Sequence, residues 1–498
     1  MRILSKSKLM AYRQCPKRLW LEVHRPELRE DSAATQASFD VGYQVGEIAQ
    51  NLYDPQSKGT VIDPHAEGFD EAFARTQVLL HSSQPIFEAG FRTEDALAFA
   101  DVMLPVKTRG KTSWRIVEVK SSTSVKDYHR DDIAVQAYLA CTSKIPLTAI
   151  VLAHIDSTWV YPGGGNYSGL LAEQDLTDEA LSRAEEVRAW IADAQQIVAK
   201  KKEPKITTGA HCSQPFECGF LPYCQRQEPQ AEQPLRWLPG RFSQKLSAYI
   251  EAENVIELRD VPDDLLNDLQ RKVQTHTVSN QVFFDQQGAA YALAQHKLPA
   301  YFLDFETIQF VVPIWKGTRP YQQIPFQFSV HRLSRTGKLT QQAFLDLSGK
   351  DPSKAFAQAL INACDGTSPI FVYNAAFEKT RISELAARFP RMEKQLLALN
   401  ERIVDLLPIA RKYFYHPSQQ GSWSIKAVLP ALCPDLSYDD LEGVQHGGMA
   451  MDAFKEAIAS QTTASRKAEI KQQLLNYCEL DTYAMVRLWS AFTGKALN

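Results

Sequence analysis

The sequence has 498 residues, of which 44% are hydrophobic, 10% aromatic and 23% charged, with a formal net charge of -3. That length predicts two to four domains with sizeable cores, at roughly 100–200 residues each. The near-neutral charge excludes capture of nucleic acid by global attraction, so such a partner has to be held by local patches and metal ions.

The opening MRILSKSKLM is basic without an apolar run, and no apolar stretch of about 18 residues occurs, so neither a signal peptide nor a membrane span is expected. The expected compartment is cytoplasmic. There the 8 cysteines are reduced, and clustered ones are candidate metal ligands before disulfides.

Ser5 is the expected N-cap of a first helix, with Leu9, Tyr12, Leu19, Trp20 and Val23 at helical spacing and a break at Pro16. Helical periodicity continues over 37–53 and 68–82. Short apolar runs then predict strands in PIFEAGF, ALAFADVMLPV and WRIVEVK, a helix near 129–142 and a strand in LTAIVLAHI. Residues 177–201 read as one long amphipathic helix, and 225–240, rich in Gln, Glu and Pro, as a linker. Residues 241–297 read as helical. From Pro299 come strands at AYFLDFETI, 325–334, 341–347 and 369–373, then mainly helix after Asn374. Strands alternating with helices in both parts predict an α/β fold.

Two groups of carboxylates stand out. On the strand WRIVEVK, Glu118 and Lys120 are two residues apart and share a face. Asp101, after the apolar run ALAFA, is placed to join them from a neighbouring strand. Two carboxylates suit a divalent cation and a lysine suits a phosphate, although a lone E-x-K is ordinarily a surface ion pair. On the strand FLDFE, Asp304 and Glu306 again share a face. That strand is otherwise apolar, and burying two acids together is costly without a cation. Later, Asn374, Phe377 and Glu378 lie at a strand–helix junction, while Tyr477 and Asp481 are four apart on one helix face.

Three cysteines, Cys212, Cys218 and Cys224, are spaced by five residues each in a loop-like segment, and Cys15 lies near the start. They read as ligands of a four-cysteine site. Such a site is either tetrahedral, as for zinc, or that of a cubane cluster, although zinc more often takes C-x₂₋₄-C pairs. The remaining cysteines read as small buried hydrophobes. Two basic segments, Arg2 to Arg29 and Lys200–Lys202 with Lys205, would form a phosphate-binding groove if brought together.

The order Asp101…Glu118-x-Lys120, followed by a helix with Gln136 and Tyr138, resembles the PD-(D/E)xK nuclease superfamily, and within it the RecB and AddB nuclease domains and the nucleases of CRISPR adaptation. The resemblance implies that Glu88 in PIFEAGF joins Asp101 and Glu118 as a metal ligand, that Lys120 is catalytic, and that Gln136 and Tyr138 contact substrate. Where that group often carries Gly-x-x-x-His, this sequence has Gly46 in the place of the His, with Glu47 next to it. The iron–sulfur members further imply a 4Fe–4S cluster on Cys15, Cys212, Cys218 and Cys224, closing a long loop.

The order D-x-E, N-x-x-F-acid, Y-x-x-x-D resembles the DEDD exonucleases of RNase H-like fold, in the tyrosine-bearing subclass. It implies Mg²⁺ or Mn²⁺ on Asp304, Glu306, Glu378 and Asp481, with Glu378 replacing the usual Asp, and Tyr477 handling the attacking water. Asn374 and Lys426 are candidate substrate contacts, as are Arg319, Tyr321, Gln323, His331 and Ser424.

End to end, the chain is similar to an uncharacterised bacterial family with P-x-x-F-L-D-F-E, R-P-Y-x-Q-x-P-F-Q and G-S-x-S-I-K segments. The resemblances imply a RecB-like domain over 1–228, a helical connector over 229–297 and an exonuclease-like domain over 298–498. Together these make a metal-dependent dual nuclease acting on DNA in repair, recombination or defence. The alternative is a nucleic-acid-binding scaffold with only the C-terminal site active, with RNA as a possible substrate.

Overall fold

The computed structural model describes residues 2–108 and 111–497. Two compact units emerge: Met1–Gln230 with Phe310–Gln322, and Ala231–Gln309 with Gln323–Asn498. Both mix helices and strands. The helical connector expected over 229–297 falls almost wholly within the second unit. Residues 231–297 belong to the second unit, because Leu238, Leu246, Leu258 and Leu266 build an apolar cluster there. Residues 310–322 belong instead to the first unit, where Val312 and Tyr321 pack with Val45, Ile155 and Leu170.

In the first unit, Ser5 caps the helix Lys6–Gln14 by accepting from the Lys8 amide, and Pro16 starts a second helix, Pro16–His24. A seven-stranded sheet follows. Its order is Thr60–Val61, Ile86–Arg92, Ala96–Thr108, Lys111–Lys120, Leu147–Ile155 and Leu171–Asp175, with Leu4–Ser5 added along Ala96–Thr108. The helix Asp127–Thr142 covers one face, burying Ile133, Ala137 and Ala140 in the core. The expected single helix over 177–201 is two, Thr177–Ser182 and Ala184–Val198. The break falls at Arg183, whose guanidinium is drawn to Asp131 and Glu186.

One irregularity positions a site. The ladder between Ala96–Thr108 and Lys111–Lys120 runs from Thr108–Lys111 to Val102–Val117 and stops there. Beyond it, Leu4 and Ser5 pair with Ala96 and Leu97. Asp101 lies between the two pairings, and its carboxylate accepts the Val119 amide at 2.7 Å in place of a ladder carbonyl.

In the second unit, a five-stranded sheet has the order Leu339–Leu345, Ile324–Leu333, Ala300–Ile308, Ile370–Val372, Ile403–Asp405. The first three strands are antiparallel and the last two join parallel. Ala300–Ile308 is therefore central and almost entirely buried, as its apolar run predicts. Its pairing with Ile324–Leu333 slips between Pro325 and Gln327, opposite Glu306 and Thr307. Such a bulge re-aims side chains. The helix Ala464–Thr493 packs on the sheet, anchored where Gln327 donates to the Leu474 carbonyl and where Thr482 bonds Ser329 and His331. Among the described residues, no helix is long and apolar enough to cross a membrane.

Candidate functional site

The first unit gathers more charge than its motif announced. Lys120 Nζ lies 2.6 Å from Glu118 Oε1 and 2.7 Å from Asp132 Oδ2. Gln136 donates to Glu118 Oε2 at 2.6 Å and to Asp132 Oδ1 at 3.1 Å. Lys6 enters from the N-terminal helix, 2.8 Å from Glu118 and 3.0 Å from Asp132. Glu118, Asp132 and Gln136 are buried.

Glu88 sits in register opposite Asp101, between the Phe87–Val102 and Ala89–Ala100 pairs, with φ 57°. A non-glycine residue in that region costs about 1–3 kcal/mol, and such strain gathers at functional sites. Burial, then repulsion from Glu118, pushes the Glu88 carboxyl up to about 7 and Asp101 to about 8. Asp132 is held well below the usual carboxylate range despite its burial, by Lys120 and Lys6.

The structure thus brings Asp101, Glu118, Lys120 and Gln136 together, with Glu88 near enough for Glu118 to raise it, while among the described residues Glu88, Asp101 and Glu118 do not offer three oxygens within 4.8 Å of one another. It does not bring Tyr138, which packs against the apolar core, nor Glu47, which is exposed. Sequence reasoning missed Lys6 and Asp132. Asp132 had a signal, since it lies four residues before Gln136 on the same helix face.

Cys15, Cys212, Cys218 and Cys224 line one pocket with Lys17, Arg18, His211 and Phe220. Burial pushes the Cys224 thiol up to about 11. The two basic segments meet, Trp20 donating to the Lys200 carbonyl and His24 bonding that of Val198, but much of the first segment's charge is paired. Arg13 pairs with Asp131, Lys17 with Glu203, Arg18 with Glu22, Arg25 with Glu27 and Arg29 with Asp31, while Lys6 turns into the acid cluster.

In the second unit, Asp304, Glu306 and Asp481 each offer a carboxylate oxygen, all within 4.8 Å of one another. Strand periodicity places the first two and the long helix brings the third. Glu378 lies outside that group. It is buried at the start of the helix Ala376–Arg388, near enough to raise Asp304, and its Oε2 has no hydrogen-bond partner. Asp405 fixes that junction by accepting from the amides of Asn374, Ala375 and Leu407 at 2.9–3.0 Å. Asn374 itself is exposed, with φ 76°.

Burial and mutual repulsion raise the acids. Asp304 goes well above its usual range, Glu306 up to about 8, and Asp481 up to about 6 by burial. Glu378 also reaches about 8, by burial and then Asp405. A nearby ammonium, Lys426, is 5.0 Å from the centroids of both the Tyr438 and Tyr477 rings and donates to the Gln445 carbonyl at 2.5 Å. The hydroxyl of Tyr438 donates to Asp481 at 2.5 Å.

Residues 301–424 match a domain of unknown function, DUF2779. No curated protein matches the chain. The DUF2779 segment includes Asp304, Glu306 and Glu378 and ends before Lys426, Tyr477 and Asp481. Sequence reasoning missed Tyr438, for which no periodic signal exists because it sits in a short turn, Tyr438–Asp440. Of the proposed substrate contacts near the DUF2779 segment, His331 is buried against Thr482 and Tyr321 bonds the Ser121 carbonyl. Gln323 is engaged by Arg381. Tyr321 and Gln323 are half-buried and Arg319 is exposed.

Proposed function

We propose that this chain is a cytoplasmic metal-dependent nuclease that hydrolyses phosphodiester bonds of DNA, with a 3′→5′ exonuclease site at Asp304, Glu306, Glu378 and Asp481 and a second nuclease site at Glu88, Asp101, Glu118 and Lys120. The observation that carries the reading is the trio Asp304, Glu306 and Asp481, the first half-buried and the other two buried, whose oxygens converge within 4.8 Å with no ion-paired ammonium among the described residues. Carboxylates in that arrangement are stabilised by a divalent cation. When bound, divalent cations supply Lewis acidity to a phosphoryl oxygen and activate water.

The chain's own groups do the rest. Burial and Asp481 hold the Tyr477 phenol far above its ordinary range, so it remains an O–H donor and orients the water rather than taking its proton. Tyr438 fixes the Asp481 carboxylate. Lys426 offers positive charge to a phosphate.

The test is an assay on end-labelled single-stranded DNA, duplex DNA and RNA with Mg²⁺ or Mn²⁺, using anaerobically purified protein beside Asp101→Ala, Asp304→Ala and the double variant. Distinct product patterns lost in each single variant are expected, with the double variant inert. A specific observation favours a second reading, in which only the Asp304 site cuts: both oxygens of Glu118 already face protein donors. That reading wins if Asp101→Ala changes nothing. A wild type that cuts no substrate sinks both.

The cysteine pocket is proposed to hold a 4Fe–4S cluster. Four thiols facing one pocket form a suitable donor set. Among the described residues, no three of those sulfurs fall within 4.8 Å of one another. A single zinc, with Zn–S near 2.3 Å, would draw them to about 3.8 Å. Protein purified without oxygen is expected to contain about four irons per chain and to be brown. Cys218→Ser and Cys15→Ser are expected to lose both, while zinc at about one per chain with no iron overturns the cluster.

A further inference from the structure

Lys6 belongs to no motif, yet the fold delivers it to the Asp101–Glu118 cluster. Where the Lys111–Lys120 strand stops pairing beyond Val102, Leu4–Ser5 takes up the free edge at Ala96 and Leu97, and the next residue is Lys6. Its ammonium lies 2.8 Å from Glu118 Oε1 and 3.0 Å from Asp132 Oδ1. Lys120 takes the same Glu118 oxygen and Asp132 Oδ2, Gln136 takes Glu118 Oε2, and the Val119 amide takes Asp101 Oδ2.

A divalent cation needs several of these lone pairs, at 2.0–2.6 Å, in one small volume. The two carboxylate clusters solve the same problem differently. In the second unit Lys426 acts on Asp304, Glu306 and Asp481 only from a distance, donating to the Gln445 carbonyl, so that among the described residues no ammonium pairs with these acids directly. In the first unit two side-chain ammoniums neutralise the carboxylates from within. Lys120 is the motif's own lysine, so Lys6 is the added charge. Its side chain keeps 19% of its exposure, and a lysine's flexible four-carbon stem gives the ammonium a route to solvent.

We propose that Lys6 is a built-in competitor of the divalent cation at the Asp101–Glu118 site. Its ammonium holds Glu118 and Asp132 while the site is metal-free and must withdraw from Glu118 for Mg²⁺ or Mn²⁺ to bind. The nuclease would then work at its first site only at cation levels high enough to displace an internal charge. This inference rests on the metal-dependent reading of that site.

The test is Mn²⁺ binding, followed by the electron paramagnetic resonance signal of the free ion. It uses the full chain carrying Asp304→Asn and Asp481→Asn, so that the second cluster is silenced. In that background, Lys6→Met is expected to tighten an Mn²⁺ site about tenfold or more, since an ammonium beside the ion is removed. Asp101→Asn is expected to remove the gain. Lys6→Arg keeps the cation and is expected to bind as the parent does, with an unchanged thermal transition, which separates charge from loss of fold. If an Asp101-dependent site exists and Lys6→Met leaves it unchanged or weaker, the competitor role is overturned while the metal site stands. If neither parent nor Lys6→Met shows Asp101-dependent binding, the metal reading of the first cluster fails and the competitor role with it.

Discussion

Asp304→Asn is expected to lower Mg²⁺-dependent release of terminal nucleotides by at least about a thousandfold, some 4 kcal/mol of transition-state stabilisation. Asp304 lies on the central strand, one of three carboxylates converging within 4.8 Å, and the substitution changes charge with almost no change of volume. Asn keeps the shape of the site but removes one anionic ligand, so the loss should fall on kcat. Tyr477→Phe should act differently. It removes one hydroxyl, not a ligand, so a smaller loss of about 10–100-fold is expected, with cation affinity retained. Steady-state rates across a Mg²⁺ titration separate the two. Equal rates for Asp304→Asn and wild type would dismiss the cluster as a catalytic centre.

The metal-free protein should lose stability as pH rises from 6 to 9, and Mg²⁺ or Mn²⁺ should remove that slope. Glu306 and Glu378 are pushed up to about 8 in the fold from an ordinary 4.5, by burial first, and Asp481 to about 6 by burial. A carboxyl whose folded value is raised contributes most below its unfolded value. The contribution fades as pH climbs through the folded value, because the native state must then ionise a buried acid. Glu88 and Asp101 in the first unit, at about 7 and 8, act with the same sign. Asp132 is depressed and already ionised, so it adds no slope in this window.

A fall in Tm of roughly 5–10 °C between pH 6 and pH 9 is expected in chelator. Glu306→Gln should flatten part of it, because an amide has no proton to lose. Differential scanning calorimetry at fixed ionic strength measures this. A metal-free Tm that rises with pH, or a slope untouched by Mg²⁺, contradicts a buried cluster built around a cation.

Much of this architecture was legible along the chain because it rests on near neighbours. Ser5 caps a helix by reaching the amide three residues on, and Pro16 divides two helices through its own ring. The alternation that puts Asp304 beside Glu306, and the four-residue step that puts Tyr477 over Asp481, are set by strand and helix geometry alone. The apolar run around Asp304 also announced a strand buried on both faces, and all but Asp304 of Ala300–Ile308 is buried.

What the sequence by itself determined is therefore which residues share a face and where most elements begin. The tertiary structure alone decided which faces meet. Lys6 and Glu118 are 112 positions apart, and they touch only because Leu4–Ser5 pairs at Ala96 where another strand has ended. Tyr438 reaches Asp481 from an irregular turn with no period to betray it. Residues 310–322 join the first unit although they lie between two strands of the second, and 231–297 belong to the second unit, with an apolar cluster built from Leu235 to Leu266. In each case the deciding term is non-local: the closure of a long loop, offset by apolar burial or by an ion pair that no short window of sequence contains.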